Sequence, residues 1–85
     1  MNDKARHIRE RFPDKTHTIN LLMAEDPEFF TLCEDYDACV DALRYWAKSE
    51  KPEAETRVNE YHALVRELEE EITQVLVALE PKQSE

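Results

Sequence analysis

Histidine, cysteine and clustered glutamate are the residue types in this chain that could do chemistry. Three histidines could transfer protons or bind a metal ion: His7, His17 and His62. Two ligands on one helix face lie three or four residues apart, and no two of these histidines have that spacing. Asn59 occupies the position before His62 that the Glu-x-x-His pair of a di-iron bundle would need. The spacing predicts no metal site, and His62 is expected to pack, partly covered, beside a helix interface.

The two cysteines, Cys33 and Cys39, lie six residues apart on one predicted helix, too far apart to pair with each other. A reactive thiolate needs a basic neighbour or a helix N-terminus, whereas Cys33 is followed by Glu34 and Asp35. We therefore expect both cysteines to act as small apolar residues. Unpaired cysteines, together with the lack of a signal-peptide apolar segment in residues 1–25, predict a cytoplasmic location.

The third candidate is the acidic run Glu69-Glu70-Glu71. Consecutive residues point about 100° apart around a helix, so these carboxylates do not converge on one substrate. Glu70 is expected to face solvent, while Glu69 and Glu71 flank a helix interface, where they could select a basic partner helix or oppose a like-charged copy. A small helical enzyme would instead need a pocket lined by polar side chains. We predict no enzymatic activity, no catalytic residue, no cofactor and no bound metal.

The elements that position these side chains are predicted to be helices with apolar stripes. One stripe has residues spaced alternately three and four apart: Val58, Tyr61, Val65, Leu68, Ile72, Val75 and Leu79. This spacing is typical of a helix that packs against another helix. A second, wider stripe comes earlier in the chain: Phe29, Leu32, Tyr36, Cys39, Val40, Leu43 and Trp46. We predict that both stripes form the helix-packing and oligomer interface.

Proline punctuates the chain, which contains no glycine at all. The segment Asp26-Pro27-Glu28 offers an N-cap carboxylate, a proline at the first helical position and an acid in the first turn. We predict helices over residues 14–24, 27–48 and 52–80, with a basic N-terminal arm over 1–13 and a frayed tail over 81–85. The predicted fold class is all-α, a long antiparallel coiled-coil-like hairpin with a short N-terminal helix. It is expected to assemble into an oligomeric helical bundle.

Polar residues of the predicted helix 27–48 are expected to face solvent: Glu34, Asp37, Asp41, Arg44 and Lys48. Two aromatic residues of the same helix lie off its apolar stripe. Phe30 is expected to be covered if the N-terminal helix packs back onto it, and Tyr45 is expected to lie on the surface, as single aromatics often do.

The chain is acidic, with a formal net charge of −9 from 20 acidic and 11 basic residues. Such a surface repels phosphate backbones and anionic membranes, so we expect no nucleic acid and no membrane as partner. The charge is uneven, because residues 1–13 carry a net +2 and residues 52–80 a net −6. The arm either folds onto the acidic helices, its own or a neighbour's, or stays solvated, and the charges alone leave both alternatives open.

One segment of the chain carries a family resemblance. Asp26, Phe29, Leu32 and Tyr36 form the pattern Asp-x-x-Phe-x-x-Leu-x-x-x-Tyr, and a heptad helix containing Leu68-Glu69-Glu70-Glu71-Ile72 follows it. Over residues 12–79 the chain resembles the YdcH-like family, short bacterial proteins of unknown function pictured as two-helix hairpins. The resemblance implies the same architecture and brings no catalytic or binding residues. The chain departs from the family at three positions where basic residues would be expected: His62, Ala63 and Glu69.

Size decides the functional expectation. At 85 residues the chain forms one domain at most, and a lone hairpin of this size buries a marginal core. Association supplies more core, so we expect a homodimer or tetramer, with another protein as the alternative partner. The predicted role is a non-catalytic protein–protein interaction module or small cytoplasmic regulator. The alternative is a ligand- or metal-responsive regulator that uses the cysteines and histidines.

Overall fold

The computed structural model describes residues 5–79. These residues form four α-helices and no strand: α1 (Arg6–Arg11), α2 (Thr16–Glu25), α3 (Pro27–Ala47) and α4 (Ala54–Leu79). A 3-10 turn, Pro13–Lys15, joins α1 to α2. The all-α class is confirmed, with short helices before two long helices that pack together. The predicted tail over 81–85 and the first four residues of the arm lie outside the described residues.

The start of α3 follows from its capping residues. Asp26 Oδ1 accepts hydrogen bonds from the backbone N–H groups of Glu28 at 3.0 Å and Phe29 at 3.3 Å. Pro27 occupies the first turn, where its missing N–H leaves no bond unmade, and Glu28 places a negative charge at the positive end of the helix. This start was predicted at the same residue.

The last helix begins at Ala54, two residues later than predicted. The segment before it forms a turn, in which the Lys51 N–H donates to Ser49 Oγ at 3.1 Å and the Ala54 N–H donates to the Lys51 carbonyl at 3.0 Å. Pro52 therefore lies in this turn and not at the first position of the helix. The other end of the connection agrees to within one residue, because α3 ends at Ala47.

The described part of the basic arm contains α1. Ile8 is fully buried and anchors this helix in the core. Ala5 precedes it in a left-handed conformation with φ 64°, which is unfavourable for a residue with a Cβ atom. Full burial of Ala5 and a hydrogen bond from its N–H hold that conformation in place. Residues 5–11 therefore pack on the chain's own α3, one of the two alternatives that the charges had left open.

The core lies where all four helices meet. Its buried side chains come from every helix: Ile8, Ile19, Phe29, Cys33, Tyr36, Val65, Ile72 and Leu76. On α4 the core departs from the predicted heptad at its end, because Leu76 is 2% exposed whereas Leu79 is 54% exposed. Leu76 lies eighteen residues after Val58, which is five turns at about 3.6 residues per turn, so the two side chains face the same way. Because a straight helix has about 3.6 rather than 3.5 residues per turn, a strict seven-residue repeat drifts around it, and at the end of α4 Leu76 faces the core instead of Leu79.

None of the helices within residues 5–79 is both long enough and apolar enough to cross a membrane.

Candidate functional site

A polar cluster joins α1 to α3. The Asp37 carboxylate accepts hydrogen bonds from the backbone N–H groups of Ala5 at 2.9 Å and His7 at 3.1 Å. The N-cap residue of α1 is Ala5, whose side chain makes no capping hydrogen bond, and a carboxylate from α3 accepts from this end of the helix instead. The prediction that Asp37 simply faces solvent was wrong. Its carboxylate is partly buried because the start of α1 lies on it.

The side chain of His7 completes the join. It is only 4% exposed, and its Nε2 atom lies 2.9 Å from Asp41 Oδ1 and 3.4 Å from an Arg6 guanidinium nitrogen. Its Nδ1 atom lies 3.7 Å from a Glu10 carboxylate oxygen. Carboxylates thus flank both ring nitrogens. This arrangement holds α1 against α3, and the ring is positioned as a link between the helices.

A second polar contact brings α4 into the cluster. The Tyr36 hydroxyl donates a hydrogen bond of 2.6 Å to Glu69 Oε2, and Arg11 Nε lies 3.5 Å from the same oxygen. Burial, reinforced by this hydrogen bond and by the charge of Glu69, raises the pKa of the Tyr36 hydroxyl. The hydroxyl therefore stays a neutral donor, and Glu69 links α1, α3 and α4 through two partners.

Two solvent-open clefts border this cluster. The larger, about 400 Å³, is lined by polar side chains of both charges: Arg11, Arg66, Glu69, Glu70, Thr73 and Gln74. The smaller, about 210 Å³, has mixed walls as well: His7, Glu10, Arg11, Tyr36, Val40 and Arg44. Both clefts have basic and acidic groups in their walls, so neither is lined by charges of one sign. Within residues 5–79, no three His, Cys, Asp or Glu side chains are placed to hold a metal ion together.

The remaining chemistry-bearing residues have simple positions. His62 is exposed, so the prediction that it packs, partly covered, beside a helix interface was wrong. Tyr45 is 54% exposed, as predicted, and its ring is 5.1 Å from that of Trp46 in an edge-to-face arrangement. The Lys51 ammonium lies over both rings, 5.8 Å from the centroid of Tyr45 and 5.7 Å from that of Trp46. This contact covers the connection between α3 and α4.

Both cysteines are free. Cys33 is fully buried, and this burial, helped by the charge of Asp37 and opposed by Arg9, raises the pKa of its thiol from 9.0 to about 12. Cys39 is partly buried, and burial followed by the charge of Asp35 raises the pKa of its thiol as well. The thiolate is the reactive form, so neither environment activates a cysteine.

Thiol labelling should separate the two cysteines. In a Cys39→Ala variant, Cys33 is the remaining thiol, and its pKa of about 12 lowers its thiolate fraction near pH 8 about a thousandfold from that of a thiol with pKa 9.0. We expect very slow reaction with an aromatic disulfide reagent under native conditions and fast reaction in denaturant. The matched Cys33→Ala variant should react faster in dilute native solution. Equal native rates for the two variants would contradict the burial of Cys33.

The predicted packing residues fall into three groups by exposure. Four are buried between the helices: Phe29, Tyr36, Val65 and Ile72. Nine are partly buried: Leu32, Cys39, Val40, Leu43, Trp46, Val58, Tyr61, Leu68 and Val75. Leu79 is exposed. One side of each stripe therefore packs into the chain's own core. The residues on the other side of each stripe are only partly covered.

The incompletely covered residues lie on one side of the helix pair. On α3, Asp37 and Asp41 contact α1, and on α4, Glu69 contacts Arg11, so these residues mark the side that α1 covers. At about 100° per residue, other apolar residues lie on the opposite flank of each helix. On α3 they are Leu32, Cys39, Leu43 and Trp46, and on α4 they are Tyr61, Leu64, Leu68, Val75 and Leu79. We call these nine residues the apolar face.

The apolar face contains one residue that the heptad did not predict. Leu64 lies beside Val65, outside the strict three-four spacing, and is 43% exposed. The signal in the sequence was its spacing of four residues from Leu68, which places both on one flank of α4. A wider stripe on the last helix, like that of the preceding one, would have included it.

Comparison of the chain with protein-family models, with curated proteins and with solved structures finds no match in any of the three. The resemblance to the YdcH-like family stays a prediction that rests on the residues of segment 12–79.

Proposed function

We propose that this protein is a non-catalytic interaction module, a small cytoplasmic regulator that binds other protein chains through the apolar face. The observation that carries the proposal is the position of that face. The α1 helix and its polar cluster occupy one side of α3 and α4, while apolar residues on the other side remain partly exposed. Contiguous exposed apolar surface on a small chain marks a site of association.

The architecture we propose for this module is an antiparallel hairpin of α3 and α4. Only six residues, 48–53, connect the two helices, and short connections join antiparallel neighbours. The hydrogen bond from Tyr36 to Glu69 supports the same direction, since both residues lie at similar distances from the connection. The apolar face then runs along the whole length of the hairpin.

The size of the core supports an assembled state. Among residues 5–79, ten hydrophobic residues are buried, and two of these are alanines. A chain of this length buries only about 60% of its unfolded surface or slightly more, so its stability as a monomer is marginal. If a homodimer or tetramer of helical bundles covered the apolar face, each Å² of apolar surface buried would add about 25 cal/mol of stability.

A pair of matched substitutions tests the proposal. Leu64 and Val77 are both exposed apolar residues of α4, at 43% and 58%, but they lie about 140° apart around the helix. We expect Leu64→Glu, on the apolar face, to abolish both self-association in light scattering and capture of other proteins in pull-downs. Val77→Glu should change neither, and circular dichroism should show both variants folded. If Leu64→Glu changed neither binding measurement, the proposed function would be wrong.

A further inference from the structure

We propose that the occupant of the apolar face is a second copy of this chain, lying antiparallel to the first, so that α3 crosses α3 of the other copy near Cys39. The inference rests on the proposed function and names its partner. In this arrangement the connection between α3 and α4 of one copy lies over the opposite end of the other copy's hairpin. A two-fold axis perpendicular to the long axis relates the two copies.

Charge along the hairpin determines the orientation. Residues 44–57, around the connection, carry four basic and three acidic side chains, a net +1. Residues 25–35, at the far end of α3, carry five acidic and no basic side chains, and residues 67–71, in the middle of α4, carry four acidic and none basic. The net +2 of α1 reduces this negative charge without cancelling it. A parallel pair would place the acidic segments of the two copies together, whereas an antiparallel pair that crosses at Cys39 places them beside a connection with net positive charge.

The spacing of residues on the apolar face also suits a two-fold axis at Cys39. Leu32 and Trp46 lie seven residues before and after Cys39, so an antiparallel crossing there sets each Leu32 against the Trp46 of the other copy. The two-fold axis repeats this contact on both sides of the crossing, and in each a large ring lies opposite a smaller aliphatic side chain, which fills the space between the two helices. The small Cys39 side chain at the crossing lets the two α3 helices approach closely.

The area of the face approaches that of a stable pair. At 1.5 Å per residue, α3 is about 32 Å long, and two helices side by side are about 20 Å wide. The face therefore has a projected area of about 600 Å², and the relief of its side chains adds to this value. A stable interface buries about 800 Å² on each partner.

The first experiment is oxidation of the unmodified chain with copper–phenanthroline and dissolved oxygen. Two Cys39 thiols in contact at the crossing each lose one hydrogen atom to oxygen and form an S–S bond, which joins the two chains covalently. We expect covalent dimers from the wild type and from Cys33→Ala, and none from Cys39→Ala. Light scattering on the same samples gives the mass before cross-linking. A noncovalent dimer that never cross-links through Cys39 would overturn the crossing point.

The second experiment measures the orientation. Spin labels at Ser49→Cys, in a variant that also carries Cys33→Ala and Cys39→Ala, mark the connection in each copy. The antiparallel pair predicts a label–label distance greater than half of the 52 Å long axis of the chain. A short distance would show a parallel pair and overturn the proposal.

The outcomes distinguish failure of the proposed partner, a second copy of the chain, from failure of the proposed function. A chain that stays monomeric at all concentrations overturns the second copy as occupant. If that monomer still captures another protein, and Leu64→Glu abolishes the capture while Val77→Glu does not, the proposed function stands with a different partner. If it captures nothing through Leu64, both fail.

Discussion

Ile72→Asp is expected to unfold the chain. Ile72 is fully buried on α4 in the centre of the core. The substitution removes a buried side chain, which costs about 2–5 kcal/mol, and places a carboxylate in an apolar environment without a partner, which costs several kcal/mol more. A domain of this size has only about 5 kcal/mol of stability in total. Circular dichroism at 222 nm should show loss of helix at 25 °C in water.

Glu70→Lys is the matched control, two residues away on the same helix. Glu70 is exposed, so we expect its substitution to shift the free energy of unfolding by about 0.5 kcal/mol or less in a urea titration. If the two variants had the same urea midpoint, Ile72 would not lie in the core. The contrast is independent of oligomeric state, because Ile72 is covered within a single chain.

Asp37→Ala is expected to release α1 from the rest of the molecule. The substitution leaves the N–H groups of Ala5 and His7 without their acceptor and removes an acidic group from the positive end of α1. Loss of a cap costs about 0.5–2 kcal/mol, and unsatisfied buried donors cost about 1–3 kcal/mol each unless the segment detaches. When α1 detaches, the N–H groups of Ala5 and His7 form hydrogen bonds with water instead. Amide hydrogen exchange at residues 5–11 should accelerate strongly while exchange in α4 changes little.

Asp35→Ala controls for loss of a negative charge on α3. Asp35 is exposed and lies two residues earlier, on the flank away from α1. Its substitution should leave exchange in α1 unchanged. Asp37→Asn should give an intermediate result, because the amide keeps one acceptor oxygen but lacks the charge. If α1 exchanged equally fast in the wild type and in Asp37→Ala, the helix would not depend on this carboxylate.

Ile72→Asp tests a feature that the spacing of apolar residues predicts, and Asp37→Ala tests one that depends on a tertiary contact. Ile72 belongs to a stripe that is visible in the sequence as regular spacing, and its burial was predicted. Asp37 was predicted to face solvent, because on α3 alone it lies outside the apolar stripe. Its acceptor role comes from residues 30 and 32 positions earlier, and no local pattern connects these positions. The spacing of residues along the sequence therefore could not predict the cluster of His7, Asp37 and Asp41.

The position of α1 also determines which surface stays available. An apolar stripe on α3 or α4 has two flanks, and periodicity alone treats them alike. Once α1 packs against Asp37, Asp41 and Glu69, one flank of each helix is covered. The remaining flanks form the apolar face. The choice between them depends on the burial of Ile8 and on the cap that Asp37 provides.

The amino-acid sequence by itself determined the helical class, the start of α3 at its Asp26 cap, and the apolar lines along which α3 and α4 pack. These features depend on residues close together in the chain, through capping, proline geometry and the period of the helix. Tertiary structure decided the existence and docking of α1, the burial of Leu76 in place of Leu79, and the exposure of Leu64. Each depends on which surfaces meet in space, and contacts between residues thirty positions apart leave no periodic trace in a single sequence.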